Sequence, residues 1–113
     1  MSQLDVSIEA IAPLFAALGD PTRAWIVGRL AREGRLTITD LSRARPAISR
    51  QAVTRHISVL SDAGIIVAER RGRETRLAVN PVALAPVRHW LDEISAAWDD
   101  ALERLAAHLE NVP

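Results

Sequence analysis

A mostly α-helical fold with one small β-hairpin is what this chain predicts, on three observations. Apolar residues recur at three-and-four spacing along most of its length, enough for about five to six helices. The period changes to two only between residues 65 and 79, where a hairpin fits. Residues 37–64 read as a short helix, a tight turn and a longer helix with one polar face, the order of a helix-turn-helix unit. At 113 residues, 49% of them hydrophobic and 25% charged, the chain forms one domain, residues 1–113, with a modest core.

Each element has its own warrant. Leu4, Ile8, Ile11, Phe15 and Leu18 form one stripe on a first helix, which Pro13 is expected to kink or to break in two. Asp20 and Pro21 open the next helix as N-cap and first residue, and Glu33-Gly34 close it after Trp25 or Ile26, Val27 and Leu30 have turned inward. Thr37-Ile38-Thr39-Asp40 is a capping box with Asp in place of Glu, starting a short helix that buries Ile38 and Leu41.

Ser49 then caps the longer helix, residues 50–63, and Gly64 ends it. Val53, Ile57 and Leu60 share its inner face. Gln51, Thr54, Arg55 and Ser58 share the outer one, and all four carry hydrogen-bonding groups. Gln and Arg make two-pronged contacts with adenine and guanine edges, whereas Thr and Ser suit phosphates or either base class. A merely solvated helix carries the same residue types, so the flanking elements decide between the two readings. Ile65 to Arg70 and Thr75 to Val79 alternate as strands around Arg71-Gly72-Arg73-Glu74. Four arginines (70, 71, 73 and 76) fall within seven residues at that tip, more than solubility requires, and a phosphate-gripping wing accounts for them.

Pro86 is expected in the first turn of the last helix, which runs to about residue 110. Its stripe of Trp90, Leu91, Ile94, Trp98, Ala101, Leu102, Leu105, His108 and Leu109 is long for so small a domain. Two tryptophans on one stripe need a large apolar cover. A two-fold dimer seam supplies it, built from Ile8, Ile11 and Phe15 with Trp90, Leu91, Ile94, Trp98, Ala101 and Leu105. The competing account packs the stripe only on its own domain.

Charge sharpens the functional reading. The net charge is zero, yet residues 21–80 hold twelve arginines against five acids, while residues 1–20 and 81–113 are both acidic. A basic centre between acidic ends fits a chain whose middle meets a polyanion. All fourteen basic residues are arginine. With no cysteine, thiolate metal sites, disulfides and cysteine nucleophiles are excluded. No glycine-rich phosphate loop, paired histidine ligands or Ser/His/Asp set is present, and Ser49 and His56 lie two helical turns apart, so no enzyme is expected. The first residues lack the basic and apolar regions of a signal peptide, and no window approaches eighteen apolar residues; the expected location is cytoplasmic.

Taken together, Leu14-Phe15-Ala16-Ala17-Leu18-Gly19-Asp20-Pro21-Thr22-Arg23, Ile48-Ser49-Arg50-Gln51-Ala52-Val53-Thr54-Arg55-His56-Ile57-Ser58-Val59-Leu60, and Ala63-Gly64-Ile65-Ile66 followed by Arg70-Arg71-Gly72-Arg73 resemble the ArsR-type winged helix-turn-helix regulators over about residues 14–110. The resemblance implies a homodimeric repressor of transcription, with residues 1–20 and 86–110 as dimerisation helices, 37–64 as the helix-turn-helix and 65–79 as the wing. It places Ser49, Arg50, Gln51, Thr54 and Arg55 on double-stranded DNA through the second helix of the motif, and Arg71 and Arg73 through the wing. Gln51 and Arg55 are then assigned to base edges, Thr54 to base or phosphate, and Ser49, Arg50 and the wing arginines to the backbone.

Two departures stand out. The connection Ser42 to Ile48 is about one residue longer than usual. Members that sense arsenic, cadmium or lead carry cysteines where this chain has Leu36-Thr37-Ile38-Thr39-Asp40-Leu41, so no such site is expected here. His89 with Asp92 offers half of a metal site at most, and neither metal nor cofactor is assigned. A small-molecule effector would enter between the tryptophan-bearing helix and the first helix. The other reading is a protein-interaction module that has kept the fold and lost DNA binding, against which the basic centre argues.

Overall fold

The computed structural model describes residues 3–111, with the side chains of residues 8–111. In chain order it contains α1 (Gln3–Leu18), α2 (Pro21–Glu33), β1 (Leu36–Thr37), α3 (Ile38–Ala44), α4 (Arg50–Asp62), β2 (Ile66–Arg71), β3 (Glu74–Val79) and α5 (Pro81–Glu110). The five helices and one small antiparallel sheet match the expected class. Every cap read from the sequence is in place. Asp20 accepts from the Thr22 and Arg23 amides at 2.9 and 3.1 Å, and the Thr37–Asp40 box closes in both directions at 3.0 Å. Ser49 Oγ accepts from the Ala52 amide at 3.1 Å, and Gly64 ends α4 at φ 77.

The core gathers one face of every helix and of the sheet. Ile11, Leu14 and Ala17 of α1 meet Ile26 and Leu30 of α2, Leu41 of α3, Val53, Ile57 and Leu60 of α4, then Ile65, Ile66, Leu77 and Val87. Between α2's two candidates Ile26 is the buried one, and Trp25 lies at the margin under the Arg45 guanidinium, 4.8 Å from its ring centre. Ile38 is only partly covered.

Three features depart from expectation. Helix α1 is not broken in two at Pro13 but continues through it from Gln3 to Leu18, with Pro13 on its exposed side. The Leu4 side chain lies outside the described set. The sheet has three strands, not two, in the order β1-β3-β2: Leu36 pairs with Leu77 and Thr37 with Arg76. Helix α5 starts at Pro81 rather than near Pro86. Asn80 is the reason. Its Oδ1 caps the Val82 amide at 3.2 Å while its Nδ2 donates to the Gly64 carbonyl, so the start of α5 is pinned to the end of α4. Pro86 is then an interior residue of a 30-residue helix.

The hairpin β2–β3 turns through Gly72 and Arg73, with Arg71 paired to Glu74. Gly72 takes φ 62 and no other residue of the turn has positive φ, the pattern of a type II′ turn that suits strand twist. The molecule is far from spherical, at 70 × 32 × 20 Å with a radius of gyration of 19.1 Å. A compact chain of this length would have roughly 13 Å. The difference is α5, whose residues 95–110 project away with every side chain exposed except half-buried Ala101.

Candidate nucleic-acid interface

Helix α4 divides as its sequence period requires. Val53 and Leu60 are fully buried and Ile57 nearly so, which leaves Gln51, Thr54, Arg55 and Ser58 on the solvent side, all exposed. The Thr54 hydroxyl donates back to the Arg50 carbonyl at 3.0 Å. Its proton is thus engaged in the helix, and it offers outward a lone pair and a methyl group rather than the donor read from the sequence. The Arg50 guanidinium donates to Thr39 Oγ1 at 3.0 Å and has no acidic partner among the described residues. Arg55 has none either. Both charges are therefore available to phosphate or base.

The wing arginines are not equivalent. Arg71 pairs with Glu69 at 3.1 Å, and that contact is the first cause that holds the Glu69 carboxyl below its usual range. Arg76 lies 3.9 Å from Glu74, and Arg70 donates to the Gly72 carbonyl. Arg73, at the tip, has no acidic partner among the described residues, which makes it the freest cation of the wing.

Between the start of α4 and the wing runs an open trough of about 520 Å³, lined by Arg35, Arg43, Arg50, Arg73 and Arg76 together with Thr37, Thr39 and Thr75. Its two acids, Asp40 and Glu74, are engaged in the capping box and beside Arg76. Arg35, Thr39 and Arg43 fall outside the set that the sequence assigns to DNA, whereas Arg76 is already one of the arginines read there as a phosphate-gripping wing. These four come from the α2–β1 connection, α3 and β3, and the β1–β3 pairing of Thr37 with Arg76 is what gathers them. A two-residue strand gives no periodic signal, so that pairing was invisible.

On the opposite side of the molecule α1 packs along α5. Phe15 meets Trp90 edge to face, with ring centres 5.6 Å apart at 71°. Of the residues expected at a dimer seam, Ile8, Phe15, Leu91, Trp98 and Leu105 are exposed, while Trp90, Ile94 and Ala101 are half-buried. Ile11 is the correction. At 2% exposure it belongs to the chain's own core, and it has no surface to offer a second chain. Leu102 and Leu109, outside the assigned set, are more than half exposed and continue the Trp98–Leu105 line at four- and three-residue steps. His89 pairs with Glu93 at 2.6 Å, not with Asp92, and no group of three or more potential metal ligands occurs among the described residues. No described helix is long and apolar enough to cross a membrane.

Comparison with known proteins agrees with this geometry. Residues 18–69, from the end of α1 into β2, match a helix-turn-helix domain family. The HTH-type transcriptional regulator Rv2034 of Mycobacterium tuberculosis is 36% identical over 95 residues, 84% of each chain. An ArsR-like transcriptional regulator from Rhodococcus sp. RHA1 superposes over 100% of both chains with a TM-score of 0.75 at 29% identity. The crystal structure of a further ArsR family transcriptional regulator covers 80% of this chain and 92% of its own, at 32% identity and a TM-score of 0.69. With polar-faced α4, the arginine-tipped hairpin and these relatives in agreement, the chain belongs to the ArsR family of DNA-binding transcriptional regulators.

Proposed function

We propose that this regulator acts as a homodimeric repressor in the cytoplasm, reading an operator with α4 of each protomer in successive major grooves. Gln51 and Arg55 take base edges, with Thr54 and Ser58 beside them. Ser49 and Arg50 hold phosphates, and the wing grips the flanking backbone through Arg73, with Arg71 joining once its pairing with Glu69 is exchanged for phosphate. The trough of Arg35, Arg43 and Arg76 extends that grip along one strand. The carrying observation is the uncovered face of α4, whose Arg50 and Arg55 have no acidic partner, set against an arginine-lined groove.

Dimerisation is supported by the projecting half of α5. Trp98, Leu102, Leu105 and Leu109 are 53–65% exposed on one stripe, a surface that water disfavours and a second copy would cover by two-fold symmetry. Two α4 helices held by that seam would sit about one helical turn of DNA apart, roughly 34 Å. Repression follows from occupancy, since a dimer seated in two grooves excludes other proteins from the same duplex. An effector would act at the α1–α5 seam, where Trp90 Nε1 is buried without an acceptor beside Phe15. The protein-interaction alternative leaves the basic face without a role.

Selection of bound duplexes from random DNA tests the proposal. The expected result is a two-fold-symmetric motif with half-sites one helical turn apart. Enrichment of no motif, with equal binding to all duplexes, would overturn it.

A further inference from the structure

The Asp20-Pro21-Thr22-Arg23 run lies away from the DNA-facing set, yet its charged groups converge on α4. Arg23, in the first turn of α2, donates through Nε to the Ala17 carbonyl, one of the orphan acceptors at the end of α1. Its Nη1 lies 3.4 Å from His56 Nδ1 on α4. The guanidinium only donates, so this contact is a hydrogen bond in the ring tautomer that carries its proton on Nε2 and leaves Nδ1 to accept. The same ring nitrogen is 3.8 Å from Asp20 Oδ2, which already takes the Thr22 and Arg23 amides. One arginine thus spans two helices at once, reaching the end of α1 with Nε and the flank of α4 with Nη1.

Helix α4 has a second polar tether, the bond from Arg50 to Thr39 of α3. Arg50 and His56 are six residues apart, about 120° around the helix at 3.6 residues per turn. They flank the buried stripe of Val53, Ile57 and Leu60 on opposite sides. Apolar packing sets how deeply a helix sits, but contacts without direction resist rotation weakly. Two lateral hydrogen bonds, one on each flank, add a directional restraint against it. Rotation matters here: about 10° moves a side-chain tip at the helix surface by about 1 Å. That exceeds the range over which a base contact keeps its geometry.

We propose that Arg23 and His56 are positioning residues that fix the rotational setting of α4 relative to α1, and so determine sequence discrimination without touching DNA. This rests on the reading of α4 as the helix that meets base edges.

The test uses the full chain and two duplexes of equal length, one enriched from random DNA by the unaltered protein and one scrambled. Fluorescence anisotropy gives the ratio of the two affinities. His56→Ala and Arg23→Lys should each lower that ratio about ten-fold, the scale of one weakened base contact, with scrambled-DNA affinity and the melting transition retained. Lysine keeps the charge but cannot span both acceptors. His56→Asn, whose Oδ1 can accept where Nδ1 does, should restore the ratio to within about two-fold, and the double change Arg23→Lys with His56→Ala should cost no more than either alone. An unchanged ratio in His56→Ala and Arg23→Lys, or an Asn variant as poor as Ala, would overturn the positioning role while leaving the DNA-reading of α4 intact. If the unaltered protein enriches no sequence, the base-reading itself falls and takes the positioning role with it.

Discussion

In the proposed complex, Arg55 is the side chain on which sequence discrimination turns most directly. It stands exposed on α4, with no acid among the described residues to release before it meets a guanine edge. Arg55→Ala should therefore weaken binding to a selected duplex by ~1–3 kcal/mol, and binding to scrambled DNA by much less. Equal losses on both, by fluorescence anisotropy, would demote it to a phosphate contact. Asp40 makes a different kind of prediction. The Thr37 amide, followed by the Thr37 hydroxyl, hydrogen-bonds its carboxylate and holds it below the ordinary value of 3.8. A carboxyl whose folded value is depressed contributes stability in full above the unfolded value, and that contribution is lost as pH falls through the folded one. Asp40→Asn keeps an acceptor oxygen without a titrating charge. Its urea midpoint should fall less than that of the unaltered protein between pH 5 and pH 3.

At the scale of elements, α4 depends on its cap and the wing on its tip. Ser49→Ala leaves the Ala52 amide without its side-chain acceptor and should cost about 1 kcal/mol by urea unfolding. Arg73→Ala should lower the slope of log affinity against log salt by about one unit while leaving the enriched motif unchanged. The elements were legible in unequal measure, for physical reasons. Caps are local. Asp20, Thr37, Ser49 and Gly64 announce helix ends within four residues, and each end lies where its cap places it. The start of α5 was misread because Pro86 looked like a first-turn proline. What outweighed it was Asn80, whose amide group answers to Gly64, sixteen residues earlier. The polar face of α4 could be read from period alone. The trough could not, because Arg35, Arg43 and Arg76 become neighbours only when β1 pairs with β3, about forty residues away in the chain. Ile11 and Ile8 sit three apart on one stripe, and only the tertiary packing around α1, which period does not reveal, separates the buried from the exposed one.

Across the whole molecule, the proposed reading divides the work between two faces. In it the basic face meets the duplex, while the α1–α5 face carries the exposed apolar residues Trp98, Leu102, Leu105 and Leu109. Trp98→Glu or Leu105→Glu should yield a monomer by light scattering after gel filtration. The same variants should bind the enriched duplex far more weakly, because each half-site must then be held alone. The projecting half of α5 has a last consequence, one of abundance. Sixteen residues of helix with every side chain exposed except half-buried Ala101 gain little from packing and are marginal in water. In the proposed dimer, pairing of chains supplies what they lack, and stability gained through pairing grows with concentration. The melting temperature should therefore rise as the protein is made more concentrated. A cell holding few copies would keep this tail half-melted and open to proteolysis, so the amount of protein present helps decide how long each copy lasts.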